Sequence, residues 1–204
     1  MSLEKENRMH PKRPVERLKP GLLLLAFLLL LSCVNRPVPS NFHDPEMDFS
    51  ALRTVAVMPL SNLTRDQLAG DRVRDTFINS LMATGVLYVV PPGEVARGIA
   101  RANITTPAMP SKEDIARIAA VLQADALLTG VVREYGEVRS GAASANVVSV
   151  GMQMFEAKTQ RVVWTAASTR GGITVGDRLL GSGGRPMNEV TQAAVNDLIS
   201  KLLY

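Results

Sequence analysis

The chain predicts a single α/β domain of α+β character, three-layer-like, preceded by a segment of another kind. Three observations carry this. Apolar β-branched runs alternate with stretches of helical spacing through the middle of the chain, the last strands are joined by connections too short for a crossover, and the first fifty residues lack the pattern of a folded core. The expected sheet is mixed, about five strands with an antiparallel C-terminal meander, accompanied by about four helices. The expected division is residues 1–32 as a signal peptide, 33–49 as a cysteine and tether, and 50–204 as the folded α/β domain.

The first segment is a targeting signal by its physics. Gly21 to Leu31 is GLLLLAFLLLL, preceded by the basic stretch Lys12 to Lys19. As a helix this run rises only about 16 Å, roughly half of a hydrocarbon core, so it is too short for an ordinary membrane span. A positive n-region before a short apolar h-region is the secretory pattern. The run ends in Leu30-Leu31-Ser32-Cys33, and Cys33 is the only cysteine of the chain. No internal disulfide can form.

Charge follows the same division. Residues 1–32 hold Lys5, Arg8, Lys12, Arg13, Arg17 and Lys19 against Glu4, Glu6 and Glu16; taken from the totals of 23 and 19, these leave 17 basic and 16 acidic side chains. The remainder is nearly neutral, whereas a nucleic-acid binder keeps its basic stripe in the folded part, so nucleic acid is not an expected partner. Val34 to Phe49 contains three prolines and little paired apolar sequence, which predicts an extended tether.

Leu52 to Leu60 predicts a buried first strand ended by Pro59, and Ser61 to Thr64 a turn. Val73, Phe77, Ile78, Leu81 and Met82 recur at helical spacing within 66–84, with Gly85 as the C-terminal cap. Val86 to Val90 is a second strand stopped by Pro91-Pro92, and a short helix is expected from Gly93 to Ala102. Ser111 offers an N-cap with Asp114 three residues on, opening a helix with Ile115, Ile118, Ala119 and Leu122 on one face; Asp125 is expected to end it.

Ala126 to Glu134 is the next strand, followed by a turn at Gly141 to Ser144. Val147 to Phe155 and Arg161 to Ser168 are separated only by Glu156 to Gln160, which requires an antiparallel pair. Gly130 within the first of these strands predicts close packing, and Trp164 an aromatic of the core or hairpin. A polar stretch with six glycines runs from Thr169 to Pro186, before a last helix marked by Val190, Ala194, Leu198 and Leu202.

Catalytic chemistry finds little to build on. Cys33 closes the signal run, His10 lies in the signal and His43 in the tether, which leaves 50–204 without thiol or imidazole and excludes Cys-His and Ser-His nucleophile systems and the usual zinc clusters. The carboxylate pairs Asp71 and Asp75, Glu113 and Asp114, and Glu134 and Glu137 are explained by solvated helix faces, caps and turns. Gly181 to Arg185 lacks the Lys-Ser or Lys-Thr of a phosphate-cradling loop. No catalytic residue, cofactor or metal site is expected.

The residues Leu30-Leu31-Ser32-Cys33 resemble the lipobox of bacterial lipoproteins. That resemblance implies diacylglycerol on Cys33, cleavage before it and acylation of the new amino group, and Val34 in place of Asp favours the outer membrane. VAVMPLSNLT (Val55 to Thr64), ADALLTGVV (Ala124 to Val132), VSVGMQMFEAKTQRVVWTA (Val148 to Ala166) and their spacing resemble a broad group of periplasmic lipoproteins. The group includes CsgG-type curli-secretion proteins, LpoB-type activators of penicillin-binding proteins, GNA-type lipoproteins and the N-terminal domain of TolB.

The resemblance implies a non-enzymatic envelope protein that reaches the membrane through lipid on Cys33 and binds a periplasmic or outer-membrane protein partner, with a homo-oligomer possible. A ring-forming export subunit and a hydrolase of wall or polysaccharide are the alternatives. A pore formed by this chain alone is disfavoured, because two membrane hairpins need about 40 residues of alternating pattern, and the spare stretch Thr169 to Pro186 has none. That stretch is the expected contact surface for the partner.

Overall fold

The computed structural model describes residues 41–141, 143–173 and 184–204. In chain order the elements are β1 (Asn41–His43), a 3-10 turn (Phe49–Ala51), β2 (Thr54–Val57), β3 (Ser61–Asn62), α1 (Ala69–Ala83) and β4 (Tyr88–Val89). They continue with α2 (Pro92–Arg101), α3 (Lys112–Leu122), β5 (Ala126–Ser140), β6 (Ala143–Glu156), β7 (Val162–Gly171) and α4 (Met187–Leu203). The strands form one open seven-stranded sheet in the order β1-β7-β6-β5-β2-β4, with β3 added beside β5. The expected mixed sheet, meander and four helices are present; the sheet has two more strands than the sequence suggests.

Parallel and antiparallel halves follow from the connections. β2 lies parallel to β4 and to β5 because helices separate them in the chain. β5, β6 and β7 follow one another through tight turns and pair antiparallel, with Gly151 opposite both Val131 and Ala167. Gly141 at φ +61 makes the first turn, and Gln160 at φ 55 the second. The β5–β6 hairpin is longer than its apolar core requires, running on to Ser140, with a register shift between Val132 and Glu134.

The added strands have definite causes. Asn41–His43, assigned by the sequence to the tether, pairs antiparallel with Trp164 to Ala166 of β7 and so belongs to the sheet, and the tether cannot extend to Phe49. Asp44 then continues the contact through its N–H to the Val163 carbonyl at 2.8 Å. β3 forms where the chain leaves Pro59 and lies against Val131 and Val132. Asp125 does not end α3, which stops at Leu122 with Gln123 in the left-handed region at φ 51. Its carboxylate accepts the N–H groups of Arg53 and Thr54, both at 2.9 Å, and so ties the start of β2 to the start of β5.

Local capping agrees with the sequence elsewhere. The Ser111 hydroxyl accepts from the Asp114 N–H at 3.1 Å while the Asp114 carboxylate accepts from the Ser111 N–H at 3.0 Å, a complete capping box for α3. Gly85 at φ +66 closes α1. Arg74 on α1 donates Nε and Nη2 to the Val57 carbonyl at 3.1 and 2.6 Å, which satisfies an acceptor at the end of β2. Burial pushes its guanidinium below the ordinary arginine range.

The core lies on both sides of the sheet, unequally. On one side Val55, Val57, Leu128, Val148, Val150, Met154 and Trp164 pack with Phe77 and Leu81 of α1 and Val190, Ala194 and Leu198 of α4. On the other, Ala56, Met58 and Leu127 pack with Val95 of α2 and Ile115 and Ile118 of α3. A fully buried side chain of this size contributes about 1.5–3 kcal/mol. Trp164 is fully buried and its Nε1–H donates to the Lys201 carbonyl at 2.9 Å, locking α4 to β7.

Candidate functional site

α2 and α3 are short, and they cover the sheet only near β2 and the start of β5. Beyond them no helix of the described residues covers the same side of β5, β6, β7 and β1, and there the structure has a trough of about 940 Å³. Alternation along the strands sets its floor: Thr129 and Val131 from β5, Gly151 and Gln153 from β6, Thr165 and Ala167 from β7, with Phe42 of β1 opposite Thr165. These residues point away from α1 and α4, while their chain neighbours fill the core under those helices.

The floor mixes polar Thr129, Gln153 and Thr165 with Val131, Gly151 and Ala167. Gln153 Nε2 donates to the Thr129 hydroxyl at 3.1 Å across the β5–β6 pair, and the Ser149 and Thr169 hydroxyls lie 2.9 Å apart in the next rows. Arg133, beside the register shift of β5, lays its guanidinium over Gly151, so that a Cβ there would meet Nη2 at 2.6 Å. Among the lining residues Arg133 is the one charged side chain.

The wall is built by β3 and the loop before α3. Asn62 Oδ1 accepts the Thr64 N–H at 3.0 Å and its hydroxyl at 2.8 Å, while Asn62 Nδ2 donates to the Asp66 carbonyl at 2.7 Å. This turn holds Leu63 outward at 71% exposure, beside Met109 at 74% and Phe42 at 46%. The Ser61 hydroxyl donates to the Ala108 carbonyl at 3.5 Å, linking the two parts of the wall.

A smaller concavity, about 520 Å³, lies at the ends of β5, β6 and β7 and is lined by Asp44, Glu46, Asp48, Asp125, Glu156, Lys158 and Arg161, among others. Several of its carboxylates are engaged within the fold. Arg161 pairs with buried Asp44 at 3.0 Å and with Glu46 at 3.2 Å. The N–H groups of Thr54 and then Arg53 hold the Asp125 carboxyl below the usual carboxylate range. The Ser50 hydroxyl and N–H lower that of Asp48.

The carboxylate pairs read from the sequence do not converge. Asp71 and Asp75 are exposed on α1, Asp114 serves the capping box, and Glu137 pairs with Arg139 at 2.8 Å. His43 is a correction, because it belongs to β1 and therefore to the folded domain; its ring meets that of Phe49 edge-on at 5.3 Å. Among the described residues no group of three or more His, Cys, Asp or Glu could hold a metal, and no helix is long and apolar enough to cross a membrane.

The Thr169 to Pro186 stretch divides. Thr169 to Gly171 belongs to β7, whereas residues 174–183, including most of the Gly181 to Arg185 segment, lie outside the described residues, as does Cys33. The trough itself was not anticipated. A signal for it was present in Ser149, Gly151 and Gln153, which alternate with Val148, Val150, Met152 and Met154, the pattern of a strand with one face unburied by helix.

Comparison with known proteins agrees with this fold. The model of the peptidoglycan-synthase activator LpoB family matches residues 29–169. No curated protein matches in sequence. Among solved structures, a PelC dodecamer from Paraburkholderia phytofirmans is 20% identical over 79% of this chain and 94% of its own, with a TM-score of 0.53. Lipoprotein GNA1162 from Neisseria meningitidis is 18% identical over 72% of this chain and 99% of its own, with a TM-score of 0.52. At such identities the likeness is one of fold.

Proposed function

We propose that this chain, which belongs to the peptidoglycan-synthase activator LpoB family, is an outer-membrane lipoprotein that docks on a periplasmic peptidoglycan synthase and raises its activity without chemistry of its own. The family match carries the reading. It begins at residue 29, before the Leu30 to Cys33 lipobox, and runs through β7, so it takes in both the proposed anchor and nearly the whole sheet. In the smaller concavity the carboxylates of Asp44 and Asp125 are engaged in holding the fold together, through Arg161 and the Arg53 and Thr54 N–H groups.

Rate measurement tests it. The purified mature chain, added to a peptidoglycan synthase from the same cell, should raise glycan polymerisation or cross-linking and should release nothing from wall fragments by itself. Unchanged synthase rates with no complex formed reject the activator reading; hydrolysis of wall by the chain alone rejects the non-enzymatic one. Replacing Cys33 by Ser should release the protein from membranes, and failure of labelled fatty acid to enter the wild type rejects the anchor.

A ring-forming subunit is the second reading, supported by the fold shared with the PelC dodecamer. Light scattering on the purified chain separates the two, since a ring gives a mass many times that of one chain.

A further inference from the structure

The chain enters the fold at the trough, since Asn41 and Phe42 both line it. If Cys33 carries lipid, the reading on which this inference rests, the eight residue steps from Cys33 to Asn41 span at most about 29 Å even when fully extended. A globular unit of this size is ~40 Å across. The linker is thus shorter than the domain, so the edge of the sheet at Asn41 stays within that distance of the bilayer.

That surface has an unusual arrangement of polarity. A protein interface has an apolar centre and a polar rim. Here polar Thr129, Gln153 and Thr165 sit in the centre beside Val131, Gly151 and Ala167, while the exposed large apolar side chains Phe42, Leu63 and Met109 stand around it. Separated apolar side chains about a partly polar floor suit the headgroup region of a bilayer, where each enters the acyl boundary independently. Among the described residues no carboxylate lines the trough to repel anionic phosphate, and Arg133 is the one charged side chain there.

The geometry points to the phospholipid bilayer as what this rim seats on, with Phe42, Leu63 and Met109 inserted at the acyl–headgroup boundary and Arg133 at the level of the phosphates. Lipid on Cys33 supplies the hold, and the rim sets the orientation. The helical side, with α1 and α4, is then the side presented to the periplasm and to a partner.

Because Cys33 is the only cysteine and lipidation consumes its thiol, single new cysteines can report on the lipidated full-length mature chain. Leu63→Cys and Met109→Cys, with Asn79→Cys on the exposed side of α1 as control, would carry an environment-sensitive fluorophore. The proteins would be reconstituted into phosphatidylethanolamine–phosphatidylglycerol vesicles with brominated acyl chains, after circular dichroism has shown the native fold. Quenching at 63 and 109 should exceed that at 79 by about twofold or more, and Phe42→Ser should reduce it.

Equal quenching at all three sites overturns the inference. So does a blue shift at 109 that is insensitive to bromine and grows with protein concentration, which would put a second copy on the rim. Intact mass separates the underlying reading: protein extracted from membranes without lipid defeats the anchor and this inference together, whereas lipidated protein without selective quenching defeats only the orientation.

Discussion

The two sides of the sheet are built from the same strands yet differ in what they can tolerate. Under α1 and α4, alternate residues of β2, β5, β6 and β7 form a continuous apolar core in which Val55, Leu128, Met154 and Trp164 are fully buried. Their chain neighbours on the opposite side meet α2 and α3 only near β2, and further along present Thr129, Gly151, Gln153 and Thr165 to the trough. Period-two alternation thus separates the duties of one strand, with one side supplying the stability and the other left available for contact.

The largest effect should come from the covered side. Trp164→Ala removes a fully buried indole and leaves the Lys201 carbonyl without its donor. A loss of about 3–5 kcal/mol is expected, visible as a large fall in the urea midpoint. A change below ~1 kcal/mol would show that α4 is not docked on β7 as described.

Next comes a glycine on that same side. At Gly130 an added Cβ would collide with the Met152 sulfur, lie 2.6 Å from the Gly151 carbonyl oxygen and 3.3 Å from Leu60 Cδ2. Since part of the obstruction is neighbouring backbone, Gly130→Ala should cost about 1–3 kcal/mol by the same measurement. A neutral result would mean that β5 and β6 lie further apart.

Asp125 joins the two sides at the strand ends, and its effect is smaller and pH-dependent. Its carboxyl is held below the ordinary value of 3.8, chiefly by the Thr54 N–H and then the Arg53 N–H. A depressed folded-state pKa gives stability that is fully present above the unfolded value and lost as pH falls through the folded one. Asp125→Ala should therefore cost about 1–2 kcal/mol at pH 7, and the gap to wild type should narrow as pH falls below about 4. A gap independent of pH would assign the loss to packing.

How much of this was legible follows from how local each feature is. The four helices and β2, β5, β6 and β7 could be read because each repeats its pattern over several residues, β4 because the apolar run Val86 to Val90 is stopped by Pro91-Pro92, and Gly85, Ser111 with Asp114, and Gly130 act on close neighbours or within one strand pair. β1 and β3 are too short for any period to emerge, and β1 is hidden among prolines. Asp125 was misread because its partners lie 71 and 72 residues away. The trough gathers unremarkable Thr, Gly, Gln and Ala residues from three strands, and becomes visible only once registers such as Val131 with Gly151 and Gly151 with Ala167 are known.

The smallest effect sharpens the comparison most. Gly151 stands next to Gly130 across the β5–β6 pair but faces the trough, and the nearest atoms that an added Cβ would meet belong to Arg133, with Nη2 at 2.6 Å and Cζ at 3.0 Å. Both atoms belong to the far end of a flexible side chain, which can swing toward solvent at little cost. Alanine also removes backbone freedom from the unfolded chain, worth about 0.4–1 kcal/mol where the folded geometry accepts it. Gly151→Ala should then fall within about 0.5 kcal/mol of wild type or slightly above it, against a clear loss for Gly130→Ala. Equal losses would show that Arg133 is fixed in place and that the open side is as tightly packed as the covered one; a neutral Gly151→Ala would leave the floor of the trough free to be reshaped, with Arg133 lifted toward its rim.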